Sequence, residues 1–202
     1  MSAPARHIFR QYDIRGIVGE DLTEEVALGV GRAFGSMLVE KGGRSAVVGR
    51  DNRPSSPGLA DALIAGLREV GVDVVDIGTV PTPMVWWGEK TLGLDAAVQI
   101  TGSHNPSEWN GIKMSMGASV FGERIQEIRR RIEGGDFVDP TREGDLEVRD
   151  VYDAYVEDVV GRFDLARPVK VVVDCGNGSG ALVAVRLLEA LGAEVVPLYC
   201  ES

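Results

Sequence analysis

Short apolar runs alternating with helix-length segments constrain this chain more than any other feature. SAVVGRD (45–51), VDVVDIG (72–78) and LDAAVQI (94–100) read as strands. Between the first two, SSPGLADALIAGLREVG (55–71) carries a helical pattern, opened by a serine cap and closed by Gly71. TPMVWWGEKTLG (82–93) is a short helix between the second and third. Strand, helix, strand in succession implies parallel pairing through right-handed crossovers. NGIKMSM (110–116) is extended and FGERIQEIRRRIE (121–133) is a helix with a charged outer face. The expected class is α/β, with a mixed, mostly parallel sheet sandwiched by helices.

The pattern then starts again. EGGDFVDPTREGDLEVRD (133–150) is polar and rich in Gly, Pro and acids, as a connection between domains would be. VYDAYVEDVVGRFD (151–164) is amphipathic, and PVKVVVDCGNGSGALVAVRLLEALGAEVVPLYCES (168–202) opens a new strand, helix, strand. GLREVGVDVVDIG and LLEALGAEVVPLY share a helix end, a glycine and a following strand about 120 residues apart, the mark of a repeated unit. Residues 1–146 are therefore expected to form one domain, and residues 147–202 the incomplete start of a second, similar one.

Among 202 residues, 44% hydrophobic and 26% charged, no stretch approaches a membrane span, and the first residues lack the apolar core of a secretion signal. A cytoplasmic location is expected. Cys175 and Cys200 are too few for a disulfide framework and read as reduced packing residues. The net charge of −10 argues against non-specific nucleic-acid binding, which rests on Lys and Arg neutralising phosphates. A phosphate-bearing ligand would have to be drawn by local cations or a bound metal.

TGSHNP (101–106) stands where the LDAAVQI strand ends, which is where ligand sites of parallel α/β sheets lie. Ser103 does not read as a hydrolase nucleophile: there is no G-x-S-x-G elbow, His104 is adjacent rather than opposite, and the other histidine is His7. A plain turn and a phosphoryl-carrying serine both fit, because a preceding glycine leaves backbone N–H donors and room for close approach.

FRQYDIRGIVGEDLT (9–23), VVGRDNRPSS (47–56), VPTP (80–83), TGSHNPSEWNGIKM (101–114) and VVVDCGNGSG (171–180) occur in that order. Together they resemble the α-D-phosphohexomutases, most nearly the bacterial phosphomannomutase/phosphoglucomutase branch and less the phosphoglucosamine mutases. The resemblance implies that Ser103 is phosphorylated and exchanges its phosphoryl group with a hexose phosphate through a 1,6-bisphosphate, moving phosphate between O1 and O6 of mannose or glucose. It implies roles for His104 and Lys113 in catalysis, places Asn105, Tyr12 and Arg15 beside the substrate, and makes the Ser103 phosphate a ligand of Mg²⁺.

The residue chemistry is compatible with those roles while leaving alternatives. Lys113 balances phosphate charge or takes a hydroxyl proton, unless it is a plain strand lysine. Arg15 clamps phosphate, unless it pairs with Asp13 or Glu20. His104 donates to a phosphoryl oxygen or steadies the loop, Tyr12 contacts substrate or packs, and Asp51 holds its own loop. Two phosphates of charge near −2 at about 6 Å repel by roughly 11 kcal/mol at an effective dielectric of 20, which calls for a divalent cation. The family's aspartate-rich DGDGD loop, its sugar-selecting loop and its last phosphate-binding loop do not occur in the sequence. The chain is thus expected to be the N-terminal part of such a mutase, with most Mg²⁺ ligands beyond residue 202 and no activity alone. Two other classes stay open: a fragment that only binds phosphate or a protein partner, and a dinucleotide site at DCGNGSG with Glu201 on a ribose, though the spacing is G-x-G-x-G.

Overall fold

The computed structural model describes residues 3–201. Eight strands and six α-helices follow in the order β1 (Ile14–Ile17), α1 (Glu24–Glu40), β2 (Ser45–Arg50), α2 (Ser56–Glu69), β3 (Asp73–Thr79), α3 (Thr82–Thr91), β4 (Ala96–Ile100), β5 (Trp109–Ser115), α4 (Glu123–Gly134), β6 (Leu146–Val148), α5 (Tyr152–Val160), β7 (Lys170–Asp174), α6 (Ala184–Ala190) and β8 (Glu194–Leu198). Six strands form one sheet in the order β1-β5-β4-β2-β3-β6, while β7 and β8 pair in a second.

The α/β expectation holds. β4, β2, β3 and β6 run parallel, and helices cover both faces. Alternation along the strands assigns the faces: Ala46, Val48, Val74, Val98 and Ile100 point into a core shared with α1, α2 and α4. Val47, Val75 and Ala97 point the other way, against Met84 and Val85 of α3 and Val156 of α5. Strands buried on both faces carry apolar residues at nearly every position, hence the near-continuous runs seen in the sequence.

β5 supplies the antiparallel part of the expected mixed sheet. It pairs antiparallel with both β4 and β1, because the connection from β4 is only residues 101–108, with no helix to carry the chain back across the sheet. The connection that forces this reversal is the TGSHNP loop. The serine cap is also corrected. Ser55 stands at the N-cap of α2 without bonding a helix N–H; its hydroxyl instead accepts from Asn110 Nδ2 at 2.9 Å.

α1 lies outside the sequence-based expectations. Thr23 caps it, accepting from Val26 N at 3.2 Å, but Gly29, Gly31 and Gly35 lower its helical signal. Two of them, Gly31 and Gly35, are explained by packing: a Cβ on Gly35 would lie 2.5 Å from Val70 Cγ2. A Cβ on Gly31 would lie 2.2 Å from Leu63 O, and one on Gly66 of α2 would lie 2.2 Å from Leu28 O, so the two helix backbones touch.

The polar stretch before residue 150 adds β6 to the edge of the first sheet beside β3. α5 then packs on that sheet's second face, with Trp87 and Tyr155 edge-on at 5.6 Å and Trp87 Nε1 donating to Asp158 at 2.7 Å. The repeat is visible in the backbone: Gly71, between α2 and β3, has φ 86°, and Gly192, between α6 and β8, has φ 89°. Both turns require a left-handed residue, which glycine adopts without steric cost. Cys175 and Cys200 are free thiols. No helix among the described residues is long and apolar enough to cross a membrane.

Candidate functional site

Sequence segments far apart meet at the carboxyl ends of β2 and β4. Asp51 N donates to Ile100 O at 2.8 Å, joining the two strand ends. A cleft of about 660 Å³ opens there, lined by Asp51–Pro54, Pro81–Pro83, Thr101, Ser103 and the turn Gly176–Gly180. Four of the five sequence blocks thus wall one space.

Ser103 is exposed in it, with φ 55°. Left-handed backbone costs a non-glycine residue ~1–3 kcal/mol unless its surroundings hold it there. Here they do. Ser103 N donates to Thr101 Oγ1 at 2.8 Å, and Asn105 N closes the turn on Gly102 O at 3.1 Å. Gly102 N donates to Asp51 Oδ2 at 2.9 Å. Asp51 also accepts from Arg53 N at 3.1 Å and from the Ser56 hydroxyl, so it holds the loop, as expected. Asn110, fully buried, donates to the Ser55 and Ser56 hydroxyls at 2.9 Å each and accepts from Gly111 N at 2.8 Å.

The other expected site residues divide into two groups. His104 is exposed beside the serine, and its Nδ1 lies 3.3 Å from Ser103 Oγ. Adjacency therefore does not prevent the two side chains from meeting, contrary to the sequence argument. His7 is elsewhere, paired with Asp21 at 3.3 Å. Asn105 is half-buried in the turn. Lys113 and Tyr12 line an adjoining recess of about 220 Å³ with Trp86 and Phe121, and Thr82 borders both spaces. Lys113 Nζ lies 3.6 Å from Asp13 Oδ2. Arg15 is 3% exposed, its Nε on Asp13 Oδ2 at 2.9 Å and its Nη1 on Thr101 O. Its partner is the acid named as one alternative, in a buried setting rather than at the surface, and its second bond anchors the end of β4.

Sequence reasoning passed over Arg53 as a site residue. Its guanidinium donates to Pro106 O at 2.7 Å, Trp109 O at 3.0 Å, Asn105 O at 2.6 Å and Ser103 O at 3.2 Å. DCGNGSG closes the far side of the cleft, where Asn177 O accepts from Asn52 Nδ2 at 2.8 Å. Burial, followed by the neighbouring Cys200 thiol, raises the pKa of the Cys175 thiol in this turn. Among the described residues no three His, Cys, Asp or Glu side chains gather as a metal site. Asp51, the acid lining the cleft, is committed to the loop, so these residues do not compose a Mg²⁺ site by themselves.

Fold and site together define an α/β protein that presents a serine hydroxyl, on a braced loop at a strand end, to a polar cleft. Comparison with known proteins narrows the class. Residues 6–139 match the family model for phosphoglucomutase/phosphomannomutase, alpha/beta/alpha domain I, and the chain belongs to that family. A phosphomannomutase/phosphoglucomutase of Pseudomonas aeruginosa is 45% identical over 195 residues, 96% of this chain and 42% of the relative. A phosphoglucomutase of Neisseria gonorrhoeae is 40% identical over 202 residues, 100% of this chain and 44% of the relative. The crystal structure of a phosphoglucomutase/phosphomannomutase family protein from Burkholderia thailandensis superposes with a TM-score of 0.93 at 45% identity, covering 98% of this chain and 45% of that one. The chain spans less than half the length of the curated relatives it matches.

Proposed function

We propose that this chain carries the phosphoryl-accepting serine of a hexose-phosphate mutase. One observation carries the reading: four motif blocks, distant in sequence, converge on a cleft into which the braced Ser103 opens. Its named relatives are phosphoglucomutases and phosphomannomutases, which supports a hexose phosphate as substrate. In this reading residues 1–146 form the domain that presents the serine, and residues 147–202 begin a second that walls the cleft.

Transfer breaks the P–O bond to Ser103 Oγ and forms one to a sugar hydroxyl, giving a 1,6-bisphosphate; the hydroxyl proton leaves as the new bond forms. His104, 3.3 Å from Oγ, exchanges the proton at the serine oxygen. Lys113, in the adjoining recess, takes the sugar-hydroxyl proton or balances phosphate charge. The second half-reaction returns the other phosphoryl group to Ser103, so O1 and O6 exchange phosphate. Such transfer depends on positioning and charge stabilisation more than on covalent chemistry. Mg²⁺ dependence is part of the family resemblance, yet the residues of this chain alone do not fit the ion, and no step here is assigned to it.

The test is intact mass of a version completed to the length of its relatives, before and after incubation with glucose 1,6-bisphosphate, followed by peptide mapping. One added phosphoryl group on the peptide containing Ser103, lost in Ser103→Ala together with interconversion of glucose 1- and 6-phosphate, is expected. Phosphate found only on Ser107 or Ser115 would overturn the assignment.

A further inference from the structure

We infer that Arg53 is the positioning residue of the phosphoryl acceptor, an inference that rests on the reading of Ser103 above. Both of its Nη groups converge on one loop. Nη1 serves the carbonyls of Pro106 and Trp109, Nη2 those of Ser103 and Asn105, and Nε lies 3.4 Å from Asp51 Oδ2. Four carbonyls of residues 103–109 are turned inward onto a single cation whose side chain is 16% exposed. Ser103 is thereby held on both sides: Thr101 Oγ1 binds its N–H and Arg53 its carbonyl. That pair of bonds keeps the backbone at φ 55°, and with it the direction in which Oγ leaves the loop.

The loop's glycine is explained by the same contact. A Cβ on Gly102 would lie 2.1 Å from Arg53 Nε and 2.2 Å from its Cζ. Gly102 is therefore a flat seat for the guanidinium, and any side chain there displaces it. Lysine cannot replace Arg53, since an ammonium has three donors on one atom where the fork presents five in a fixed plane. Asp51 completes the arrangement, linking Arg53 to Gly102 N and to Ser56 at the start of α2. Arg53 acts through the serine and need not touch the sugar.

Arg53→Lys, Gly102→Ala and the double variant, made in the same version completed to the length of its relatives, test this, with phosphoryl uptake on Ser103 from glucose 1,6-bisphosphate, steady-state kinetics and amide hydrogen exchange measured on each. A displacement of about 1 Å in a reacting group costs ~100-fold, so each single variant should lose about that much in phosphorylation rate and kcat, with little change in KM. Amides of residues 102–109 should exchange faster while those of β2 and β4 keep their protection, a split that general destabilisation would not produce. Because both variants remove one contact, their losses should not multiply in the double variant. Wild-type phosphorylation by Arg53→Lys, unchanged loop exchange, or multiplicative losses would each overturn the inference. If the wild-type protein takes no phosphate on Ser103, the proposed function fails, and the exchange pattern still decides whether Arg53 holds the loop.

Discussion

Replacing Gly31 or Gly66 by alanine tests the packing that seats the site's supporting helix. A new Cβ would meet a carbonyl oxygen of the opposite helix at 2.2 Å, with the next contacts at backbone N at 3.0 Å for Gly31 and 2.9 Å for Gly66. Backbone cannot rotate aside as a side chain can, so α1 and α2 must part by about 1 Å. Overpacking of this kind costs ~1–3 kcal/mol, and an obstacle made of backbone belongs at the upper end. Alanine returns up to ~1 kcal/mol through helix propensity, leaving a net loss of ~2 kcal/mol per substitution. Gly88 in α3 is the internal control. A Cβ there meets nothing closer than Val47 Cγ2 at 3.4 Å, so Gly88→Ala should stabilise by ~0.5–1 kcal/mol. Urea denaturation of the three variants reads the difference directly. If Gly31→Ala and Gly88→Ala both raise stability, the two helix backbones do not touch and the account of the glycines in α1 is wrong.

Asn110→Ala leaves the half-buried Ser55 hydroxyl and the buried Ser56 hydroxyl and Gly111 N without this partner, which should cost ~2–3 kcal/mol in the same denaturation assay. In the version completed to the length of its relatives, Lys113→Ala should lower kcat ~100-fold, as expected for the loss of one acid–base or electrostatic group, with the melting temperature little changed. Asp95 accepts from Arg44 N at 2.8 Å, Ser45 Oγ at 2.9 Å and Ser45 N at 3.1 Å. The Arg44 bond, ahead of those from Ser45, holds its carboxyl below the usual range against the opposing effect of burial. A carboxylate depressed in the folded state stabilises above its unfolded value of ~3.9 and loses that contribution as pH falls through the folded one. The difference in melting temperature between wild type and Asp95→Asn should therefore shrink on acidification; a constant difference would remove the carboxylate from the account.

What could be read from the sequence was what local pattern determines. The strands β2, β3 and β4, the helices α2 and α3 and the repeated glycine turn follow from side-chain periodicity and from the φ that glycine alone adopts freely. α1 escaped because residues chosen for interhelical contact look like helix breakers when only propensity is weighed. The antiparallel turn of β5 was implicit in the short connection after Ile100, where no helix intervenes. Ser103 was legible through its motif, but the machinery behind it was not. Arg53 recognises carbonyl oxygens, which every residue possesses, so no residue type at positions 103–109 announces the contact. What the sequence does carry is the exclusion that contact imposes, namely glycine at 102, where a side chain and the guanidinium would occupy the same place. The glycine before the serine thus supplies more than the room first read into it for a ligand. It also seats the cation that fixes where the hydroxyl points, and a turn built only for flexibility would not need Arg53 beneath it.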